Sequence, residues 1–387
     1  MAVVPGLTRL LASRALAGLR VGLVCNPASV DADLAHASDL VFGSDGVTLA
    51  AIFGPQHGFR SDLQDNMIES PHASDARRRV PIYSLYSETR EPTAEMLTGL
   101  DLLVIDLQDI GARIYTFVYT MANCLRAAKK HGVPVVVCDR PNPIGGAAVE
   151  GPILRRGFES FVGLFPIPMR HGMTIGELAR LFNDAFGIGA DLRVELMGGW
   201  RRSDFFDATG LPWVMPSPNM PTLDTAVVYP GAVLFEGTQL SEGRGTTRPF
   251  ELLGAPWVDA ERFASDMNAQ HLPGVRFRPA VFEPTFQKHA RETCGGCQIH
   301  VTDRQAFRPV ATGAALLAGF RRASAGRFAW RQLPYEYEHD KMPIDILAGS
   351  PALREQVDQG ASWQEIEASW QAGIDAFMGI RGRFLLY

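Results

Sequence analysis

Several clusters of residues able to move protons or clamp anions sit where apolar runs stop. The run Leu102-Leu103-Val104-Ile105 turns abruptly into Asp106-Leu107-Gln108-Asp109-Ile110-Gly111-Ala112-Arg113, and Val133 to Cys138 ends in Asp139-Arg140-Pro141-Asn142-Pro143. Gln56-His57-Gly58-Phe59-Arg60 follows the run Val47 to Phe53, with the carboxylates Asp65 and Glu69 close behind. Glu236, Glu242 and Arg244 are interleaved with Gly237, Gly243 and Gly245. There the backbone can approach a ligand closely while the side chains supply an acid, a base or an anion clamp. Arg170-His171 and Asn219, the latter caged by Pro216, Pro218 and Pro221, complete the set.

Each candidate also has a plain structural reading. His57 could bond its own loop backbone, Asp65 and Glu69 could lie on a solvated face, and Asp106, Asp109 and Arg113 could form an ion-paired network. Tyr115 and Tyr119 suit either a stacking platform for a sugar or the core. Cys294-Gly295-Gly296-Cys297 has the spacing of half a zinc site. With no second pair, and with His289 and His300 at unsuitable spacing, a structural turn is the better reading.

The elements that would position these groups alternate in type. Leu19 to Cys25 and Val47 to Phe53 read as strands around a helix from about Asp31 to Phe42. Leu102 to Ile105 and Val133 to Cys138 enclose a helix from Tyr115 to His131, stopped by Gly132. Strands alternating with helices predict an open parallel sheet, which receives ligands beyond the carboxyl ends of its strands. One rim would then gather Asp106, Asp109, Arg113, Asp139, Arg140 and Asn142. Thr174 followed by Glu177 predicts a capping box. Leu192 to Leu196 reads as a strand, and Val227 to Phe235 as another, leading into the Glu236 segment. The stretch from Gly198 to Thr225, rich in proline, glycine and tryptophan, is long enough to suggest a functional loop.

Beyond Gly254 the alternation weakens. Strands are expected at Val275 to Phe277 and Cys297 to Val301, and helices at Ala311 to Ala323, Ile344 to Leu347 and Ser362 to Met378. The expected fold class is therefore α/β: a Rossmann-like open parallel sheet domain over 1–253, with a second, smaller α+β domain over 254–387.

Bulk properties narrow the function. The 387 residues are 46% hydrophobic and 20% charged, as in an ordinary globular protein, and the net charge of −5 gives no reason to expect nucleic acid or an anionic membrane as partner. Asn26-Pro27-Ala28-Ser29 follows the first strand in place of a glycine fingerprint, and no P-loop occurs, so no cofactor is expected. Five cysteines suggest no disulfide framework. Met1 to Leu19 lacks a continuous apolar segment, which makes cytoplasmic residence the default. The oligomeric state is left open.

Gly54-Pro55-x-His57-Gly58, Ser84-Leu85-Tyr86, Asp106 to Thr116, Asp139 to Gly146, Arg170 to Leu178, Pro216 to Pro221 and Glu236 to Thr246 together resemble the DUF1343 family, also called NamZ or YbbC-like. The likeness runs from about Leu19 to the carboxyl terminus. It implies an exo-acting β-N-acetylmuramidase, a glycoside hydrolase that removes terminal N-acetylmuramic acid from peptidoglycan fragments. It also implies a Rossmann-like domain joined to a smaller carboxyl-terminal one, with the active site between them. The family pattern commonly has glutamate where this chain has Gln56, and glutamine can neither donate nor accept a catalytic proton.

On this reading Glu236 and Glu242 are the expected acids, with Asp109 behind them and His57 completing the catalytic set. Asp65 and Glu69 are further candidates to take the role of the missing glutamate. Substrate contacts are expected from Gln56, Arg60, Asp65, Arg113, Tyr115, Arg140, Asn142, Arg170, His171, Asn219 and Arg244. The four arginines among Arg113, Arg140, Arg170 and Arg244 suit the lactyl carboxylate of muramic acid. Two alternatives stand beside this reading. One is a non-catalytic binder of muropeptides or related sugars, motivated by Gln56. The other is a metal-dependent hydrolase using His57, Asp109, Asp139 and His171.

Overall fold

Twelve strands form three sheets in the computed structural model, which describes residues 2–64 and 67–387. In chain order they are β1 Arg20–Cys25, β2 Thr48–Gly54, β3 Ala73–Asp75, β4 Val80–Ser84, β5 Leu102–Asp106, β6 Val135–Cys138, β7 Glu150–Ile153, β8 Pro168–Arg170, β9 Leu192–Glu195, β10 Leu252–Ala255, β11 Val275–Phe282 and β12 Cys294–Val301. The large sheet has the order β3-β4-β2-β1-β5-β6-β9 and is parallel except for β3, which runs antiparallel at one edge. β5 and β6 are buried along their whole length and β1 along all but its first residue. This is why they read as unbroken apolar runs: layers cover both faces of the sheet, and each fully buried Val or Leu side chain contributes roughly 1.5–3 kcal/mol.

Helix Phe117–His131 covers one face of this sheet and ends at Gly132, whose φ of 70° is the left-handed conformation that a glycine stop provides. Thr174 and Glu177 form the expected reciprocal capping box. β3 and β4 escaped the sequence reading because they are short and β4 carries Pro81. The smaller carboxyl-terminal region holds the antiparallel sheet β10-β12-β11 together with helices.

Several elements differ from expectation. Val227 to Phe235 is not a strand, because the chain forms the helix Leu223–Ala232, capped by the Thr222 side chain, and continues as a 3-10 turn over Val233–Gly237. Buried on every side, this helix has no polar stripe to distinguish it from a buried strand. Its Gly231 meets Gly313 of helix Pro309–Ala323 at backbone contact: a Cβ on Gly231 would lie 1.8 Å from the Pro309 carbonyl oxygen. Cys294 to Cys297 is strand and not turn. Its glycines let β10 pass close by, since a Cβ on Gly296 would fall 1.9 Å from the Leu253 carbonyl oxygen. The expected helix Ser362 to Met378 is two helices, Trp363–Ser369 and Gln371–Arg381, and the one expected from Asp31 begins only at Ala37.

A single apolar cluster runs from Phe53 and Ile105 in the parallel sheet through Phe235 and Phe320 to Phe377, so the two regions share one core. No helix among the described residues is long and apolar enough to cross a membrane. The chain end is tied into the sheet. Tyr387 donates its hydroxyl to Asp139 Oδ2 at 2.8 Å and accepts from the Met197 backbone N–H at 3.0 Å. Asp139 also accepts from Thr174 Oγ1 and the Gly176 N–H, both at 2.8 Å, while burial pushes its carboxyl up to about 6. Tyr387→Phe removes the donor and the acceptor together. Urea unfolding should show a loss of about 1–2 kcal/mol with an unchanged m-value.

Candidate active site

Several separate stretches meet around one cavity of roughly 500 Å³, counting its open mouth. The loop after β2 brings Gln56 and His57, and the segment after β5 brings Tyr115 and Thr116. The proline-rich loop brings Ser217 and Asn219, the stretch 229–250 brings Tyr229, Glu236, Arg244 and Phe250, and a hairpin near the carboxyl end brings Tyr335 and Glu336.

One wall is a chain of alternating charges. Lys288 Nζ donates to Glu242 Oε2 at 2.7 Å and to the carbonyls of Phe235 and Leu240 at 2.7 and 3.1 Å. Glu242 Oε1 lies 3.4 Å from Arg244 Nε, and Arg244 Nη2 donates to Glu236 Oε1 at 2.7 Å. Glu236 Oε2 accepts the Tyr335 hydroxyl at 2.6 Å. Two anions and two cations balance, the condition under which buried charges are tolerated. Burial opposes the ionised form of Glu236. Arg244, the Tyr335 hydroxyl and Lys288 outweigh it and hold the carboxyl below its usual range. The Arg244 guanidinium also sits 5.0 Å over the Phe250 ring, which meets Tyr229 edge-to-face, as Tyr229 meets Tyr115.

The opposite wall is built on Gln56, whose Oε1 accepts the Thr116 hydroxyl at 2.8 Å. His57 Nδ1 lies 2.8 Å from the Leu63 carbonyl, which can only accept, so Nδ1 carries the proton in the neutral ring. Glu336 closes the cavity from a tight hairpin in which Tyr335 and Glu338 exchange backbone hydrogen bonds. Both central residues are left-handed, Glu336 at φ 45° and Tyr337 at φ 67°. This sign pattern belongs to a type I′ turn and normally calls for Asn-Gly. Each non-glycine residue there costs of order 1 kcal/mol. Glu336 Oε2 accepts the Tyr86 hydroxyl at 3.0 Å. Burial pushes its carboxyl up to about 7, helped by the Glu236 charge and opposed by hydrogen bonds from Tyr86 and Gln56 and by Arg244.

Of the residues expected at the site, Gln56, His57, Tyr115, Asn219, Glu236 and Arg244 line the cavity. The others are placed elsewhere. Glu242 stands behind Arg244 with Lys288, and its buried carboxylate is occupied by those two cations. Asp109 accepts the Gly111 N–H at 2.8 Å and faces His171 Nε2 at 3.4 Å, closing its own turn. Arg140 forms a bidentate pair with Asp106 at 2.7 and 2.8 Å. Arg113 donates to the Leu347 carbonyl, Arg170 to that of Ile144 and Asn142 to that of Met173. Arg60 is exposed, and Asp65 lies outside the described residues. Buried backbone carbonyls need donors, and the rim arginines and amide meet that need. Tyr119 is in the core against Phe182, and Glu69 is a surface residue accepting from Tyr337.

The residues of the metal-dependent alternative hold unrelated partners. Asp139 serves Thr174 and Tyr387, Asp109 serves Gly111 and His171, and His57 lies on the cavity wall. Among the described residues no group of three or more His, Cys, Asp or Glu is set to hold a metal.

A family model described as exo-beta-N-acetylmuramidase NamZ, N-terminal, matches residues 21–224, and the NamZ C-terminal model matches residues 227–387. The chain belongs to the NamZ family. It is 46% identical over 373 residues to the peptidoglycan beta-N-acetylmuramidase NamZ of Bacillus subtilis (strain 168), covering 96% of this chain and 88% of that one. Two crystal structures of DUF1343 family proteins from Bacteroides fragilis NCTC 9343 superpose over 100% of this chain and 99% of theirs. Their TM-scores are 0.90 at 34% identity and 0.78 at 26%. The two matches thus meet within the helix Leu223–Ala232 that carries the chain into Glu236, and the cavity draws residues from both sides of that junction.

The charge chain makes a direct stability prediction. Lys288→Met leaves the Glu242 carboxylate with only its longer contact to Arg244 and should cost about 3–5 kcal/mol in chemical denaturation, most of which the double variant Lys288→Met/Glu242→Gln recovers. A double variant as unstable as the single one would mean that Glu242 and Lys288 are not paired in this way.

Proposed function

We propose that this protein is an exo-acting glycoside hydrolase that removes terminal β-linked N-acetylmuramic acid from peptidoglycan fragments, as the name of its Bacillus subtilis relative states for that protein. One observation beyond kinship carries the reading. Among the described residues Arg244 is the single lysine or arginine on the cavity wall, and its Nη2 and Nε face Glu236 and Glu242. N-Acetylmuramic acid differs from N-acetylglucosamine by a lactyl ether on O3, whose carboxylate such a guanidinium would receive. Glu236 and Glu242 hold the guanidinium in place before substrate arrives, so little orientation is lost on binding.

The remaining wall suits the rest of the sugar. Tyr115, Tyr229 and Phe250 offer an aromatic face for the pyranose ring. Asn219 is anchored by its amide nitrogen to the Gln64 carbonyl at 2.8 Å, which leaves its carbonyl oxygen for a sugar hydroxyl or the acetamido N–H. Hydrolysis then needs a proton for the leaving oxygen and an attacking oxygen, from water or from the substrate's own acetamido group.

The test compares a chromogenic N-acetylmuramide with the matching N-acetylglucosaminide, and identifies products of defined muropeptides by mass spectrometry. Release of N-acetylmuramic acid with little turnover of the glucosaminide is expected. Arg244→Lys keeps the charge beside Glu236 but loses the planar fork, and should raise KM for the muramide by about 10- to 100-fold, the value of a charge-assisted hydrogen bond. Equal turnover of both sugars would contradict the reading. Gln56 motivates a second reading, binding without hydrolysis, which predicts tight calorimetric binding of N-acetylmuramic acid and no product.

A further inference from the structure

We propose that Glu336, and not the residue at position 56, gives its proton to the departing alcohol in this protein, and that Gln56 and Tyr86 hold its carboxyl in place. The inference rests on the muramidase reading above and names the proton donor that reading lacks. Position 56 carries a carboxamide, which transfers no proton. Among the described residues the carboxyl groups on the cavity wall are Glu236 and Glu336. Glu236 has one oxygen on Arg244 and the other on the Tyr335 hydroxyl, an arrangement that keeps it ionised. An acid in that state has nothing to donate.

Glu336 has the opposite surroundings. It is 4% exposed and sits at a left-handed turn position that a glutamate does not favour. A backbone outlier that aims one carboxyl into a cavity is expected where chemistry requires it. Its neighbours are the hydroxyls of Tyr86, Tyr229 and Tyr335, the Glu236–Arg244 pair and, on the same cavity wall, His57. The Gln56 carboxamide hydrogen-bonds Glu336 as well. Because the Thr116 hydroxyl occupies Gln56 Oε1, the group that Gln56 turns to Glu336 is its NH₂, a donor. A glutamate at 56 would instead set a second carboxyl against the first. Burial and the Glu236 charge bring Glu336 to about 7, near the ideal for a proton donor at neutral pH.

The step balances as follows. The glycosidic C1–O bond breaks with its electron pair going to oxygen, while that oxygen takes the proton from the Glu336 carboxyl oxygen not bonded to Tyr86. The alcohol leaves. Water then supplies the new C1–O bond, directly or after transient closure by the acetamido oxygen, and returns a proton to the Glu336 carboxylate.

The test measures kcat/KM on two muramides, one with a sugar leaving group and one with an acidic nitrophenol. Loss of a proton donor falls mainly on the poor leaving group. Glu336→Gln should therefore lose about 10²- to 10⁴-fold on the sugar-linked substrate and far less on the nitrophenyl one, and its profile should lose the fall in rate seen as pH rises through about 7. Tyr86→Phe removes a bond that favours the carboxylate, so that fall should move to higher pH. Equal losses on both substrates, or an unchanged pH profile in both variants, would overturn the proposal. A wild-type protein that releases no N-acetylmuramic acid from either substrate defeats the muramidase reading instead, whereas an active wild type with an equally active Glu336→Gln defeats only this one.

Discussion

The guanidinium of Arg244, gripped between two buried carboxylates, is the constraint on which the site depends. Glu236 and Glu242 would each be costly as lone buried charges, as would Arg244 and Lys288, so the four are stable only as a connected, neutral chain. That requirement fixes the path from Glu236 to Arg244 and seats Lys288, from a distant part of the chain, against the carbonyls of Phe235 and Leu240. It also keeps Arg244 on the cavity wall. On the proposed reading, a recognition element for an anion is thereby built from groups whose first task is to neutralise one another.

The same cavity contains a second carboxyl under a different regime. Glu236 is surrounded by donors and cations and is held ionised. Glu336, a short way along the wall, is desolvated, faces that negative charge, and has its strongest contacts with neutral donors. Two carboxyl groups driven apart in this way are the usual preparation for acid–base work at neutral pH. Their juxtaposition needs both regions of the chain: Tyr86 follows β4 of the parallel sheet, Gln56 follows β2, and the hairpin of Glu336 comes from the carboxyl-terminal region. The shared apolar core keeps those regions in register.

Much of this was legible in the residues themselves. Strands β1, β5 and β6 announced themselves as apolar runs because both faces are covered, and the Thr174–Glu177 cap followed from its spacing. Glu236, Arg244, Gln56, His57, Tyr115 and Asn219 could be named from residue type and local context. What the chain does not reveal is which charge is already spoken for. Arg140 looks as available as Arg244 until Asp106 is seen to hold it in a bidentate pair, and Asp109 as available as Glu236 until its own turn consumes it. Glu336 went unnoticed because its hairpin uses Glu-Tyr where Asn-Gly would signal the turn, so the local rule that fails there is the one that would have found it. The helix Leu223–Ala232 was misread for a simpler reason, since burial on all sides erases the periodicity that separates helix from strand.

The most direct measurement is a crystal structure of the protein with N-acetylmuramic acid bound. The account predicts the lactyl carboxylate within hydrogen-bonding distance of Arg244, the pyranose ring against Tyr115 and Tyr229, and the anomeric oxygen next to Glu336. A sugar seated instead at the ends of β1, β5 and β6, with its carboxylate on Arg140, would contradict it.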